Sequence, residues 1–286
     1  MRDPIGEIPD RFAVHRVGAT WLVFDRRHVR DLTELRLADA EKREQLFARA
    51  PRRGRGNAPS VELNPRESIV LRRYRHGGLL GWLTGPLFWG PGRPLEELRV
   101  TARAEASGAP VPSVLCMIAW PVFGPFWSAI IGTREERTAH DLFVDLEQEA
   151  APQMRLARAR QVGEAIRRLH EAGVEHRDLQ LRNILVTEPD ASRIVVIDLD
   201  RAKFHRFGQV PADRRARNLG RLVRSVIKAG LWGGAVDRRQ LAAFCSAYTA
   251  GNRTLRENLR ARIPIERLKL HWHRATYPLR GIRRLP

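Results

Sequence analysis

The chain has 286 residues, 43% of them apolar and 29% charged, which predicts a folded protein and excludes disorder as its main state. Its formal net charge of +19 is uneven, because residues 1–200 carry +2 and residues 201–286 carry +17. A basic region of this kind attracts a polyanion such as an acidic membrane surface, nucleic acid or a phosphorylated ligand, although Arg-rich composition also produces an ordinary solvated surface.

Cysteine usage and the N-terminus bear on the compartment. Cys116 and Cys245 are far apart and form no CxxC pattern, so neither a disulfide framework nor a zinc site is expected. The first residues, MRDPIGEIPD, lack the apolar core of a signal peptide. Both features favour a reducing, cytoplasmic location.

The first half of the chain reads as short β runs around one helix. A loop over residues 48–60 precedes a strand over residues 68–74, which ends before a pair of glycines. Residues 92–107 have a helical pattern that ends at Gly108, since Pro110 and Pro112 prevent its continuation.

Residues 113–132 form an uncharged stretch that is long enough to cross a bilayer as a helix. Pro121, Gly124 and Pro125 divide it into two apolar runs of strand length. This punctuation favours a buried hairpin over a membrane helix.

The second half is predicted to be mainly helical. Residues 155–173 place apolar side chains at helical spacing, and Gly173 is a suitable C-terminal cap. A second amphipathic helix is predicted over residues 215–229.

Two β runs in the second half, residues 184–186 and 194–197, are separated by the turn-rich sequence TEPDASR and should pair as a hairpin. The start of one strand then lies beside the end of the other, so Asn183 and Asp198 are expected to be neighbours. Asp178 lies five residues before Asn183, in the loop that enters the hairpin.

An amide oxygen and a carboxylate that converge in this way suit Mg²⁺, which shares its coordination with substrate phosphates. A second carboxylate nearby could accept the proton of an attacking hydroxyl. Together these groups are the minimum equipment for phosphoryl transfer. The alternative is that all three are ordinary turn and capping residues.

The segment HRDLQLRN, residues 176–183, resembles the catalytic loop of protein kinases. The resemblance implies that Asp178 is the catalytic base, that Asn183 is a Mg²⁺ ligand, and that Asp198 is the metal-binding Asp of the DFG position. The chain reads Asp-Leu-Asp there, without the glycine that allows this turn to flip in protein kinases. Asp200 is either a second metal ligand or a partner for Arg201.

Earlier positions fit the same pattern. Gly54 and Gly56 stand where a phosphate-covering loop is expected, although a flexible loop is an equally good reading. Arg72 stands where kinases have an ATP-contacting Lys, and Arg keeps the charge with a different geometry. Glu97 is the first candidate for its ion-pair partner and Glu96 the second; the alternative is a surface pair of little consequence.

The segments VLRRYRHGG, GAPVP, LHEAGVEHRDLQLRNILV and VIDLDRAKF are similar to those of the 3-deoxy-D-manno-octulosonic acid (Kdo) kinase family of lipopolysaccharide core kinases, over residues 50–232. The chain departs from the family pattern at Gln180 and Leu199. The resemblance implies a two-lobed, protein-kinase-like α+β fold. Its N-lobe would be a small β-rich region over residues 1–133, and its C-lobe a larger, mainly helical one over residues 134–286.

The same resemblance implies transfer of the ATP γ-phosphate, with Mg²⁺, to Kdo of Kdo-lipid A at the inner membrane of a Gram-negative bacterium. The basic region would then meet anionic headgroups. Three alternatives stay open: a kinase for a heptose, a small molecule or a protein; a pseudokinase; and a basic nucleic-acid binder. The last lacks any recognised nucleic-acid signature, so no dedicated nucleic-acid binding is expected.

Overall fold

The computed structural model describes residues 8–49, 52–53, 58–74, 87–148, 150–187, 193–205 and 208–261. The chain divides into two compact units. The N-terminal unit comprises residues 1–139, 187–189 and 195–202, and the C-terminal unit comprises residues 140–186, 190–194 and 203–286.

The N-terminal unit contains an antiparallel sheet with the strand order β1-β2-β7-β8-β5-β4-β3, and β6 pairs with β8. The strands are β1 Phe12–Val17, β2 Thr20–Asp25, β3 Arg52–Arg53, β4 Ala58–Asn64, β5 Glu67–Arg73, β6 Phe88–Trp89, β7 Val114–Phe123 and β8 Phe126–Arg134. The predicted strand over residues 68–74 is therefore present as β5.

The hairpin of β7 and β8 confirms the prediction for the uncharged stretch. Met117 and Ala119 on β7 belong to one buried cluster, and Cys116 and Ile118 belong to another. Because successive side chains of a strand point to opposite faces, β7 is covered on both sides and reads as a continuous apolar run. In the described part of the chain, no helix has the length and apolarity needed to span a membrane.

Three helices of the described chain belong to the N-terminal unit, where the sequence pattern predicted one. They are α1 Val29–Glu34, α2 Ala40–Arg49 and α3 Gly92–Ala106. The prediction for α3 is confirmed, and the helix is followed by Gly108 at a φ of +73°. The helices α1 and α2 were missed because α1 has only six residues and α2 is largely polar.

The described helices of the C-terminal unit are α4 Leu142–Glu147, α5 Pro152–Glu171, α6 Ala212–Lys228, α7 Arg238–Thr249 and α8 Arg253–Arg260. The strands β9 Ala139–Asp141, β11 Ile184–Thr187 and β12 Ile194–Val196 belong to one three-stranded sheet, in the order β12-β11-β9. A second sheet pairs β10 Val174–Glu175 with β13 Lys203–Phe204. The predicted helices over residues 155–173 and 215–229 correspond to α5 and α6. The predicted α+β class is confirmed.

A buried polar cluster joins α5, α6 and α7. His170 Nδ1 lies 2.7 Å from the Tyr248 hydroxyl, and its Nε2 lies 3.3 Å from Asn218 Oδ1. Burial lowers the pKa of His170 to about 3, so the imidazole is neutral at physiological pH. Gly173 follows α5 at a φ of +81°, which turns the chain into β10 and the loop beyond it.

The packing between β5, β7 and β8 leaves no room for a side chain at Gly132. An added Cβ would lie 2.5 Å from Cys116 Sγ and 2.6 Å from Ile69 Cδ1. We expect Gly132→Ala to lower the free energy of unfolding by about 1–3 kcal/mol, because both neighbours are buried and overpacking forces them to shift. Urea denaturation would measure this.

Gly92→Ala is the matched control, since an added Cβ there meets no atom within 4 Å. Its unfolding free energy should stay within about 0.5 kcal/mol of the parent value. Equal stability of the two variants would contradict the packing described for Gly132.

Candidate functional site

The loop that follows β10 is held in place by buried side chains and exposes a carboxylate. His176, Leu179 and Leu181 are buried, whereas Asp178 is exposed. His176 Nδ1 accepts a hydrogen bond of 3.2 Å from the backbone N–H of Asp178. The buried side chains on both sides of Asp178, together with this hydrogen bond, therefore fix the backbone of Asp178. Its carboxylate stays accessible to solvent.

Asn183 closes the same loop. Its Nδ2 donates a hydrogen bond of 2.8 Å to the carbonyl oxygen of Asp178, and its side chain is buried. Because the amide nitrogen is engaged, the amide oxygen is the end left for a ligand. The backbone N–H of Leu181 donates to Ser225 Oγ on α6 at 3.2 Å, which attaches the loop to that helix.

Gln180, one of the departures from the family pattern, contacts the proposed base directly. Its Nε2 donates a hydrogen bond of 3.2 Å to Asp178 Oδ2. A side-chain amide at this position therefore orients one carboxylate oxygen and leaves the other for a different partner. The substitution is compatible with an ordered Asp178.

Glu175, immediately before the loop, is a buried carboxylate that lies near one histidine and two arginines. His205 Nε2 lies 3.0 Å from Oε2, and Arg214 and Arg177 lie 3.7 Å and 3.9 Å from Oε1. Arg221 Nη1 is buried without a hydrogen-bond partner in the described residues. The pKa of Arg221 is lowered mainly by burial and by the charge of Arg224.

In the N-terminal unit, the predicted ion pair of Arg72 is present and its partner is Glu97. Arg72 on β5 donates from Nη2 to Glu97 Oε1 on α3 at 2.5 Å. Glu96, the second candidate, is exposed and lies 3.8 Å from Arg99 instead. The distinction follows from helix geometry, since adjacent residues of α3 point in different directions and only Glu97 faces the sheet.

Burial and charge act differently on the two partners of this pair. Loss of hydration raises the pKa of Glu97 to about 7, against the favourable charge of Arg72. Burial also opposes the charged guanidinium, but the charges of Glu97 and Asp198 outweigh it and raise the pKa of Arg72 above its usual value. Glu97 Oε2 is buried and has no hydrogen-bond partner among the described residues.

Asp198 lies in the segment 195–202, which packs within the N-terminal unit. Its carboxylate Oδ1 lies 3.7 Å from Arg72 Nη1, and its φ is +65°. Asp tolerates this left-handed conformation better than most residues do, because its short side chain can bond locally. The backbone N–H of Val196 donates to the carbonyl of Pro110 at 2.7 Å and anchors the segment.

Asp200 pairs with Arg93, a partner that sequence reasoning missed. Arg93 Nε donates to Asp200 Oδ1 at 2.9 Å and Nη2 donates to Oδ2, which makes the pair bidentate. The expected pairing with Arg201 is therefore replaced by a contact between residues 107 positions apart. No sequence spacing could have indicated it, because the contact depends on how segment 195–202 packs.

The structure brings Asp178 together with Asn183 in the C-terminal unit, and Arg72 together with Glu97 and Asp198 in the N-terminal unit. The convergence of Asn183 with Asp198 stays a prediction. Gly54 and Gly56 lie outside the described residues, as do residues 262–286 of the basic region.

Comparison with known proteins gives concordant results. The sequence profile described as "Lipopolysaccharide kinase (Kdo/WaaP) family" matches residues 41–248. A 3-deoxy-D-manno-octulosonic acid kinase of Xylella fastidiosa (strain 9a5c) is 33% identical over 182 residues, which cover 61% of this chain and 68% of that protein. The kinase of the same description from Vibrio parahaemolyticus is 30% identical over 179 residues, covering 61% and 71%.

The fold is also similar to that of a solved structure described as "WaaP in complex with acyl carrier protein". The TM-score is 0.59 with 21% sequence identity, and the match covers 90% of this chain and 99% of that chain. At this identity the likeness concerns the fold alone, and it confirms the predicted protein-kinase-like fold.

The raised pKa of Glu97 predicts a pH-dependent stability. Between about pH 4.5, the usual pKa of Glu, and about pH 7, the folded chain binds a proton that the unfolded chain has released. The stabilising contribution of this proton is complete below pH 4.5 and is lost as pH rises through 7. The stability advantage of the parent over Glu97→Gln should therefore shrink with rising pH, by up to about 1.4 kcal/mol per unit.

Urea denaturation of both proteins at several pH values would measure this difference. Glu96→Gln is the control, because Glu96 is 61% exposed and should give no comparable trend. A parent advantage that stays constant from pH 5 to pH 7 would mean that Arg72 keeps Glu97 ionised, contrary to the raised pKa.

Proposed function

Because this chain belongs to the lipopolysaccharide kinase (Kdo/WaaP) family, we propose that it transfers the γ-phosphate of ATP to a hydroxyl of Kdo on a lipid A precursor. The named relatives support Kdo as the acceptor. The observation that carries the catalytic part is the loop in which Asn183 bonds to the carbonyl of Asp178 and the carboxylate of Asp178 stays exposed.

In this proposal Asp178 is the catalytic base. An exposed carboxylate on a fixed backbone can accept a hydrogen bond from an acceptor hydroxyl and take its proton as the phosphoryl group arrives. The hydrogen bond from Gln180 holds one oxygen of the carboxylate, so the other can face the hydroxyl. Asp178 thereby orients the nucleophile as well as deprotonating it.

Asn183 and Asp198 are proposed to hold Mg²⁺ together with the phosphates of ATP. A bound magnesium ion neutralises phosphate charge during the transfer. The amide oxygen of Asn183 is left available by its own hydrogen bond, and Asp198 is an exposed carboxylate. Both are hard oxygen donors of the kind that this ion prefers, so the residues fit the group.

Arg72 is proposed to contact the phosphates in place of the usual Lys. Its Nη2 is used by Glu97, while Nη1 faces the Asp198 carboxylate. A planar guanidinium can bond a carboxylate and a phosphate at the same time, which an ammonium does less specifically. Gly54 and Gly56, which lie outside the described residues, are proposed to contact the phosphates as well.

The turn over residues 198–200 is proposed to keep one conformation instead of switching. Leu199 is buried, and Asp200 is held by both nitrogens of the Arg93 fork. A side chain replaces the glycine that would allow the backbone to flip. The enzyme would accordingly be active without a regulatory rearrangement of this turn.

The proposed acceptor is lipid-borne, so we place the enzyme at the cytoplasmic face of the inner membrane of a Gram-negative bacterium. Residues 201–286 carry a net charge of +17, which can attract anionic headgroups. This attraction would keep the chain near its acceptor.

The acceptor is tested with purified protein, Mg²⁺, ATP labelled on the γ-phosphate, and a panel of acceptors. We expect label on Kdo-lipid A and none on heptose, on a generic protein substrate or on lipid A without Kdo. Label on heptose, on the protein substrate or on lipid A without Kdo would instead indicate a kinase with a different acceptor. Absence of transfer to every acceptor, with steep salt-dependent binding to duplex DNA, would favour a basic binding protein.

The catalytic assignment is tested with Asp178→Asn, which keeps the size of the side chain and removes the base. We expect kcat to fall at least about 100-fold with little change in the KM for ATP, because the base acts on the acceptor. Asp198→Asn should instead raise the Mg²⁺ concentration needed for half-maximal activity.

Asp213→Asn is the matched control, since Asp213 is a surface carboxylate on α6 that pairs only with nearby Arg214 and Arg217 in the described chain. It should keep full activity. Full activity in Asp178→Asn would refute the role given to Asp178.

A further inference from the structure

One end of the sheet in the N-terminal unit carries a group of exposed apolar side chains, which we call the aromatic edge. Trp89 is 79% exposed and Phe123 is 58% exposed. The other members are Val17 and Val122, both exposed, and Phe126, which is half-buried. Single exposed apolar residues are ordinary on protein surfaces, whereas a contiguous group requires an explanation.

The strand register brings these side chains together. Trp89 on β6 pairs with Phe126 on β8, and Phe126 pairs with Phe123 on β7. The ring centroids of Trp89 and Phe126 are 5.8 Å apart, and those of Phe123 and Phe126 are 4.9 Å apart. Three strands therefore present touching aromatic rings, and the hydrogen bond of 3.1 Å from Gly90 N–H to the Pro125 carbonyl fixes β6 at the turn.

The turn between β1 and β2 lies at the same end of the sheet. Trp21 pairs with Ala119, and because β2 and β7 are antiparallel, the start of β2 lies beside the end of β7. Val17 is thus placed at the end where β7 turns into β8. Arg16 is beside it, with Nε donating to the carbonyl of Gly18 at 2.9 Å and its guanidinium 5.3 Å from the centroid of the Trp21 ring.

The charge of this end is one-sided. Residues 12–24 contain Arg16 as their single full charge, and residues 114–133 contain none. The two hairpins that form the edge therefore combine exposed aromatic and aliphatic groups with a cation and without a carboxylate. Trp and Phe beside Arg are typical of side chains that settle at the interface between hydrocarbon and headgroups, where rings are partly desolvated and the cation meets phosphates.

The same strands are well packed away from this end. Ile118, Ala119, Ala129 and Ile130 are fully or almost fully buried between the helices of the unit. The exposed rings lie on the same strands beyond this buried part, so the edge is an extension of a well-packed sheet and its exposure does not reflect a loose core. An anionic bilayer fits such a surface better than a polar protein would, because it offers apolar depth and negative headgroups together.

We propose that the aromatic edge docks the protein on the interface of an anionic lipid bilayer, with Trp89 and Phe123 inserted among the headgroups. The inference rests on the proposed function insofar as a lipid-borne acceptor requires an enzyme at a membrane. It assigns the contact to the β-rich unit, separately from the basic region over residues 201–286.

The test is co-sedimentation of the full chain with vesicles, in the absence of ATP and acceptor. The vesicles contain phosphatidylcholine alone or phosphatidylcholine mixed with phosphatidylglycerol. We expect binding to the anionic vesicles, and a loss of at least about 10-fold in partitioning for the double variant Trp89→Ser with Phe123→Ser, since two inserted rings are removed.

Trp232→Ser is the matched control, because Trp232 is another exposed tryptophan, 43% accessible, in the C-terminal unit. Its vesicle binding should equal that of the parent. A milder variant, Trp89→Phe, identifies the inserted ring: lipids brominated near the headgroup should quench less fluorescence in it than in the parent. Unchanged urea midpoints establish that the variants are folded.

Three results would each overturn the proposal. They are absence of binding to anionic vesicles by the parent, equal binding of parent and double variant to those vesicles, and equal binding of the parent to anionic vesicles and to vesicles of phosphatidylcholine alone. Where equal binding of the two proteins accompanies a parent dimer that the double variant dissociates, the edge joins two copies of the chain instead. Because these measurements use no acceptor, they stand even if the Kdo assignment fails. Conversely, the double variant should phosphorylate a deacylated, water-soluble acceptor at the parent rate if the edge acts only in docking.

Discussion

The ion pair between Arg72 and Glu97 is the interaction on which the N-terminal part of the site depends. It joins strand β5 to helix α3 through a contact of 2.5 Å, and it is buried enough for loss of hydration to raise the pKa of Glu97 to about 7. A buried pair of this kind contributes little net stability, because the loss of hydration offsets the attraction between the charges. Separating the partners is costly, however, because it leaves an uncompensated charge, and the pair therefore fixes the geometry of β5 and α3. Its guanidinium also faces Asp198, so one residue links sheet, helix and the acidic turn.

The C-terminal unit holds the exposed carboxylate of Asp178 in a fixed position. Buried neighbours hold the backbone of residues 176–183, and a side-chain amide at each of two positions bonds to Asp178, one to its carbonyl and one to its carboxylate. In a lipopolysaccharide kinase this rigidity has a direct use, since phosphoryl transfer relies more on positioning and charge than on covalent chemistry.

The hairpin of β7 and β8 serves two purposes along its length. Its inner part is covered on both faces and forms the centre of the N-terminal unit, while its outer part carries exposed rings. Both properties come from one uncharged sequence over residues 114–133. Composition alone therefore could not distinguish the buried portion from the exposed portion, because the difference depends on which part of the hairpin other elements cover.

The sequence by itself determined the hairpin over the uncharged stretch and the helices α3, α5 and α6, because each rests on local periodicity and on Gly or Pro signals. The class of fold was implied by the resemblance of its motifs to a known family. The spacing of residues 176–183 likewise predicted Asp178 and Asn183 as neighbours, since five positions within one turn-rich loop leave them little freedom to separate. Short or polar helices such as α1 and α2 lack a strong local pattern and were missed.

Only the tertiary structure decided which carboxylate pairs with Arg72. The partner is Glu97 and not the adjacent Glu96, because only Glu97 lies on the side of α3 that faces the sheet. It also paired Asp200 with Arg93 across 107 positions and gathered exposed rings from three strands at one end of the sheet. These contacts join residues distant in sequence, and they form only when strands adopt a common register and a helix packs on them.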